Sequence, residues 1–265
     1  MTGEHGEEFG RLWRAELFVI TKRPGQAAGG GGVGTLTDMR RERVLDVLQG
    51  ETEQLAGAMS GLPEPDWDRP TACTPWRVRD LLAHVRVVLA WLPEMLAAEA
   101  PEHAEVSATA YYRPDDRFAP ETNARRIKLA QDHAAARVSG DALVEDFTAT
   151  WQRVDQLCRA EPPDRVVRTR HGDLMLLTEF LRTRVVEVAV HGLDLASALD
   201  RRPWLTGPAA ELVTELLVGP NGLAPLGDLG WDRVTFLRKA TGRAPIDDAE
   251  SERINRLGLR WLTLR

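Results

Sequence analysis

Two cysteines in 265 residues, Cys73 and Cys158, are too few for a disulfide framework, and they lack the Cys-x-x-Cys spacing of a thiolate metal site. A reducing, cytoplasmic setting is the economical expectation. Lysine is nearly absent, at positions 22, 128 and 239 alone, so arginine carries almost all the positive charge. No apolar run reaches transmembrane length, and the opening MTGEHGEEFGRLWRAELFVITKRPG lacks the charged-then-apolar order of a signal peptide. The formal net charge of -6 is made of both signs mixed along the chain, which leaves no basic footprint for nucleic acid and predicts no membrane partner.

What is present is helical pattern. The chain is long enough to bury a substantial core without staples. Residues 1–38 read as a leader and a glycine-rich linker, the latter from Gln26 to Asp38. Within it GGGGVG is no phosphate loop, because no Gly-Lys-Ser/Thr follows and no strand precedes it. From Met39, the residues Val44, Leu45, Val47, Leu48, Leu55 and Met59 recur at near-helical spacing up to the Pro-rich turn LPEPDWDRP.

A second helix is expected from Thr74, as N-cap with Pro75 at the first helical position, to about Ala100. A loop over 101–120 leads to helices near 121–137 and 141–160, a strand-like Arg165–Thr169, a turn at His171-Gly172-Asp173 and a helix over 176–199. Long helices with short to medium connections predict a mainly all-α fold, a four-helix bundle over 39–202. Residues 203–265 make a small C-terminal appendage: one apolar helix after Pro203, then helices near 231–239 and 247–258.

The segment RVVEVAVHGLDL stands out. At 100° per residue Arg184, Glu187, His191 and Asp194 share about 80° of one helix face, the rest being Val, Ala, Leu and Gly. On a surface helix these would be ordinary i,i+3 and i,i+4 pairs. An arc this narrow, interleaved with Leu177, Phe180, Leu195 and Ala198, instead predicts a mostly buried helix, whose charges need partners or a metal.

On the preceding segment His84 sits on an apolar face between Leu81 and Val88, while Arg79 and Arg86 point away. A lone inward histidine is ordinarily a hydrogen-bonded core residue. Here two helices each deliver inward ionisable groups, which is how bundle cores build metal sites. Glu187 and His191 at i,i+4 grip one ion from a single face, and His84 completes a set with an open coordination position, as in catalytic zinc. Asp194 and Asp80, one turn from His191 and His84, are acceptors for the imidazoles or, for either, a solvated or capping residue.

Two segments carry a family resemblance. CTPWRVRDLLAHV resembles the Cys-Pro-Gly-Trp-Thr-Val-Arg-Asp-Leu-Leu-Ala-His segment, and RVVEVAVHGLDL the Arg-x-x-Glu-x-x-x-His-x-x-Asp-Leu segment, of the mycothiol-dependent maleylpyruvate isomerase family, among the DinB-like metal-binding bundles. The likeness runs from about Met39 to Leu199, and the tail WDRVTFLRKATGRAPI is similar to the short ending of many members. Thr74-Pro75 stands where Pro-Gly is usual. The resemblance implies a DinB-like bundle, divalent-metal ligands at His84, Glu187 and His191, and mycothiol as thiol cosubstrate. The tail is too short to be the full C-terminal domain of the maleylpyruvate isomerase proper, so that particular substrate does not carry over.

The expected function is therefore a divalent-metal enzyme, zinc the best match, working as thiol S-transferase or isomerase on a small electrophile. A metal-dependent hydrolase of the same bundle and a non-catalytic metal-binding regulator are the alternatives. Arg184 is the candidate catalytic residue, an anion partner near the metal or a salt-bridge partner of Glu187 or Asp194. Asn123, Arg126 and His171 are candidates for holding the polar part of a thiol cofactor. Cys73, just before a helix, reads as a small buried residue. His5, His103 and His133 fall in polar stretches and are assigned nothing. An apolar seam on such a bundle serves either the core or a homodimer.

Overall fold

The computed structural model describes residues 33–113, 115–219 and 222–262, so most of the expected leader lies outside the described residues. Helix α1 spans Val33–Met59 and starts within the segment read as a linker, six residues ahead of Met39. All six apolar positions singled out on it, Val44 to Met59, are buried. Helices α2 (Val78–Leu89), α4 (Pro120–Ala135), α5 (Gly140–Ala160) and α6 (Leu177–Ala198) follow, with a short α3 (Leu92–Ala97) after α2. Helices α1, α2, α5 and α6 pack around one core as an all-α bundle, and α4 lies along α2.

The helix expected from Thr74 to Ala100 is two helices, with a later start. The backbone ahead of Val78 is committed elsewhere: Thr71 N–H donates to Trp76 O (3.1 Å) and Val78 N–H to Arg69 O (2.9 Å), closing a loop that contains the cis Thr74–Pro75 bond. Arg77, not Thr74, is the N-cap, and its N–H donates to Asp80 Oδ2 at 3.0 Å. Asp80 is thus a capping residue. Proline at 93 has no N–H to continue the ladder, and the chain turns at Ala90–Trp91 before α3.

Strands β1 (Val166–Arg168) and β2 (Leu174–Leu176) form an antiparallel hairpin whose turn uses Gly172 at φ 88°. The hairpin runs directly into α6, and Leu177 N–H donates to Arg165 O at 2.8 Å. The loop before α4 is fastened to the same region, since Ala108 N–H donates to Glu179 Oε2 (2.8 Å) and Val106 N–H to Leu174 O (3.0 Å). That anchoring brings Tyr111, Tyr112 and Arg117 over the N-terminal half of α6.

Helix α7 (Gly207–Val218) packs on α6 and α1, followed by α8 (Leu223–Gly227), α9 (Arg233–Ala240) and α10 (Asp248–Arg256). On α1 the buried Glu51 accepts from Thr206 N–H at 2.9 Å, tying the entry of α7 to the bundle. Both cysteines are free and buried. No helix among the described residues is long and apolar enough to cross a membrane.

Candidate metal centre and cavity

Helix α6 presents Arg184, Glu187, His191 and Asp194 on one face, as the spacing predicts, and α2 presents His84 against them. Arg184, His191 and Asp194 are 1%, 0% and 3% exposed, and His84 3%. The two histidines point Nε2 at one carboxylate oxygen: Glu187 Oε2 lies 3.5 Å from His84 and 3.4 Å from His191. One ligand atom from each of the three residues falls within 4.8 Å of the others.

Glu187 Oε2 is buried with no hydrogen-bond partner among the described residues, although two imidazoles flank it. A buried carboxylate oxygen ordinarily finds a donor, so convergence without hydrogen-bond geometry is the arrangement a shared cation would satisfy. The donor set fits a divalent ion.

The ionisation of these groups follows from burial and from one another. Burial pulls the His84 imidazole down to about 4, only partly offset by Glu187. For Glu187 burial favours the neutral acid, but the His191 and His84 imidazoles flanking its carboxylate and the Arg184 charge outweigh it and hold the carboxyl well below the usual range. His84 is further held by Trp76, stacked on it at 4.5 Å between centroids and 26° between planes, and Trp76 and His191 are edge-to-face at 6.5 Å.

His191 uses its other nitrogen differently. Nδ1–H donates to Asp194 Oδ2 at 3.0 Å, which fixes the ring with Nε2 toward Glu187. Cys73 Sγ also donates to Asp194 Oδ2, at 3.2 Å. Cys73, His191 and Asp194 make a second compact set of candidate ligands. Its carboxylate, however, is already engaged by Arg243, through Nε to Oδ1 (2.7 Å) and Nη2 to Oδ2 (2.8 Å). Burial disfavours the Asp194 carboxylate, and the Arg243 charge with the hydrogen bonds from His191 and Arg243 overcomes this, so Asp194 stays ionised.

Arg184 lies beside the cluster with Nη2 4.0 Å from Glu187 Oε1. Its other donors go to Thr183 Oγ1 and Val88 O, and Phe180 lies under the guanidinium at 4.5 Å. It is a buried partner of Glu187.

His84 and Glu187 open into a narrow pocket walled by Tyr111, Tyr112, Arg126, His171 and Arg184. Tyr112 stays protonated there, because burial and the nearby Glu187 charge push its phenol well above its ordinary value. Beyond it, also reaching His84, is a cavity of about 600 Å³. Its wall carries Arg117, Arg125, Arg126 and Arg170 against Asp115 and Asp116, so it is net positive.

Arg126 and His171 line both spaces, whereas Asn123 lines neither and accepts from Arg126 Nη1 at 2.6 Å. The His171 imidazole is driven down to about 4 by burial and by the charges of Arg117, Arg126 and Arg170. His133, assigned nothing from its polar surroundings, lies 2.8 Å from Asp146, which also pairs with Arg86 and Arg137. Sequence reasoning gave no role to Trp76, Arg117, Arg170 or Arg243. Trp76 and Arg243 stood inside the segments that carry the resemblance, and Arg117 and Arg170 were hidden by a composition in which arginine is everywhere.

A family model described as the mycothiol maleylpyruvate isomerase N-terminal domain matches residues 48–196. A solved structure, that of a mycothiol-dependent maleylpyruvate isomerase, is similar at 21% identity and a TM-score of 0.43, over 58% of this chain and 60% of that one. The chain thus spans less than two thirds of that relative. No curated protein matches.

Proposed function

We propose, from the premise that this chain belongs to the mycothiol maleylpyruvate isomerase N-terminal domain family, that it is a divalent-metal enzyme using mycothiol as thiol cosubstrate on a small electrophile. His84, Glu187 and His191 would hold the ion, zinc being the best match to two imidazoles and a carboxylate. The observation that carries the reading is their convergence on the unsatisfied Glu187 Oε2 at the floor of a cavity.

A divalent ion there would lower the pKa of a bound thiol and so supply a thiolate at neutral pH. The chain's own residues shape what meets it. Trp91, Tyr111 and Tyr112 wall the floor with aromatic surface and limit water. Arg117 is fixed by Asp115 and Asp173, at 2.7 and 2.9 Å, and Arg126 is fixed by Asn123 and Arg117 O. With four arginines against two aspartates on the wall, an electrophile bearing a carboxylate is favoured over a neutral or cationic one.

If the sulfur adds to an activated carbon–carbon double bond and leaves again after rotation, the outcome is isomerisation. If it stays while another group departs, the outcome is S-transfer. Both begin with the same bond.

Two observations favour this reading over the alternatives. A hydrolase would want a second carboxylate poised over the floor, but Asp115 and Asp116 lie on the outer wall and Asp115 is engaged by Arg117. A purely structural site would be closed by a fourth protein ligand, and the candidate set among the described residues has three.

The test is the metal content of the purified protein and of His84→Ala and Glu187→Ala, followed by mycothiol titration of each by calorimetry. Near-stoichiometric metal in the parent, lost in both variants together with thiol binding, is the expected result. Metal without thiol binding would transfer the site to the hydrolase reading, and no metal would end the proposal.

A further inference from the structure

The buried Cys73–His191–Asp194–Arg243 cluster lies on the far side of His191 from the cavity. Its arginine comes from the C-terminal segment, beyond the last residue of the family match at 196. Arg243 follows α9 in a tight turn: Gly242 adopts φ 73°, and the N–H groups of Arg243 and Ala244 both donate to Arg238 O, at 2.6 and 3.1 Å. The Arg243 side chain is 12% exposed and faces an Asp194 side chain only 3% exposed. Its third donor, Nη1, is taken by Thr241 O at 2.8 Å, so the fork is fixed at both ends.

From this geometry we propose that Arg243 is a positioning residue for the metal centre: it holds Asp194 so that Asp194 holds His191, with Nε2 turned toward Glu187. The inference rests on the metal reading above. A carboxylate this deeply buried needs compensation on both oxygens, and the guanidinium fork supplies it in one plane. Asp194 Oδ2 is then free in orientation for nothing else but His191 Nδ1 at 3.0 Å and Cys73 Sγ at 3.2 Å. Lysine would bring the charge without the fork. The C-terminal appendage thereby contributes to a site whose ligands all come from α2 and α6.

The competing role is that of a fastener, Arg243 simply docking the tail on the bundle. Zinc affinity measured by competition with a chromophoric chelator, beside thermal unfolding, separates the two roles. Arg243→Gln should weaken zinc on the order of 10- to 100-fold, with Arg243→Lys in between. Asp194→Asn should lose a similar factor, and the double variant should lose little more than either single one.

Trp261→Ala serves as the control for docking, since Trp261 packs edge-to-face with Phe236 of α9 at 5.7 Å and belongs to neither candidate ligand set. It should lower the melting temperature while leaving zinc affinity near the parent value. Equal loss of zinc in Trp261→Ala and Arg243→Gln would overturn the positioning role, as would parent affinity in folded Arg243→Gln. Should Arg243→Gln fail to fold, Arg243→Lys and Asp194→Asn decide the question by the same criterion. A parent protein that takes up no zinc would overturn the metal reading itself, a result distinct from a parent that binds and variants that do not differ.

Discussion

Trp76 lies nearly flat on His84, 4.5 Å between centroids, and is itself 4% exposed, so the imidazole is clamped between an indole face and the Glu187 carboxylate. The indole Nε1 is buried with no hydrogen-bond partner among the described residues, so the role of the ring is its plane and volume. Trp76→Ala should cost about 3–5 kcal/mol of stability and weaken metal binding, because His84 gains rotational freedom. Trp76→Phe keeps a plane and loses no hydrogen bond, and should keep most of the affinity. Thermal unfolding and chelator competition check both. Unchanged metal affinity in folded Trp76→Ala would remove the clamp.

A tight point of the fold lies away from the site. A Cβ on Gly140 would fall 1.9 Å from Nε1 of Trp67, a fully buried indole whose N–H donates to Leu62 O at 3.2 Å. Neither the ring nor the first turn of α5, capped by Ser139, can yield cheaply. Gly140→Ala should destabilise the protein by about 1–3 kcal/mol while leaving metal content unchanged. Denaturant melts and elemental analysis are the checks, and a neutral melt would show that Trp67 has room to move.

The bundle was legible in the sequence because periodicity reports burial: every apolar position marked on α1 is buried, and the charged stripe of α6 faces inward as its narrowness requires. The convergence of His84 with Glu187 and His191 was legible for the same reason, each residue lying on the inward face of its own helix. The start of α2 was not legible. Thr74-Pro75 has the local pattern of a helix entry, and only the long-range pairing of Thr71 with Trp76 and of Val78 with Arg69 moves the cap to Arg77. The contact made by Arg243 was not legible either, although the residue stands in the tail that resembles the family's ending. Its partner Asp194 is 49 residues away, and no period in the tail marks an arginine that folds back onto another helix.

His171 gives the protein a pH dependence of known sign. Burial, then the charges of Arg117, Arg126 and Arg170, lower its pKa from 6.5 to about 4, so the folded state favours the neutral ring. The unfolded chain takes up the proton first as pH falls. The contribution is therefore fully present above about pH 6.5, is lost progressively between 6.5 and about 4, and changes no further below that. As pH falls across that window the parent should lose unfolding free energy that His171→Gln does not lose. Parallel curves would show that His171 titrates normally.

The charge of the cavity wall makes the last prediction. Arg126 is half-buried between the floor and the wider cavity, and burial lowers its pKa, partly offset by the Glu187 charge. A guanidinium held there at a desolvation cost gains from an incoming carboxylate more than the exposed Arg125 or Arg170 would. Malonate, as a probe carrying two carboxylates, should bind the parent protein, and Arg126→Gln should weaken it about tenfold, the effect of removing one charge-assisted hydrogen bond. Arg125→Gln, at the exposed rim, should weaken it far less and mainly at low salt. Titration calorimetry at two ionic strengths distinguishes these contributions. Equal losses in the two variants, both abolished by salt, would mean that the wall attracts anions only as a diffuse field and does not hold a carboxylate at Arg126.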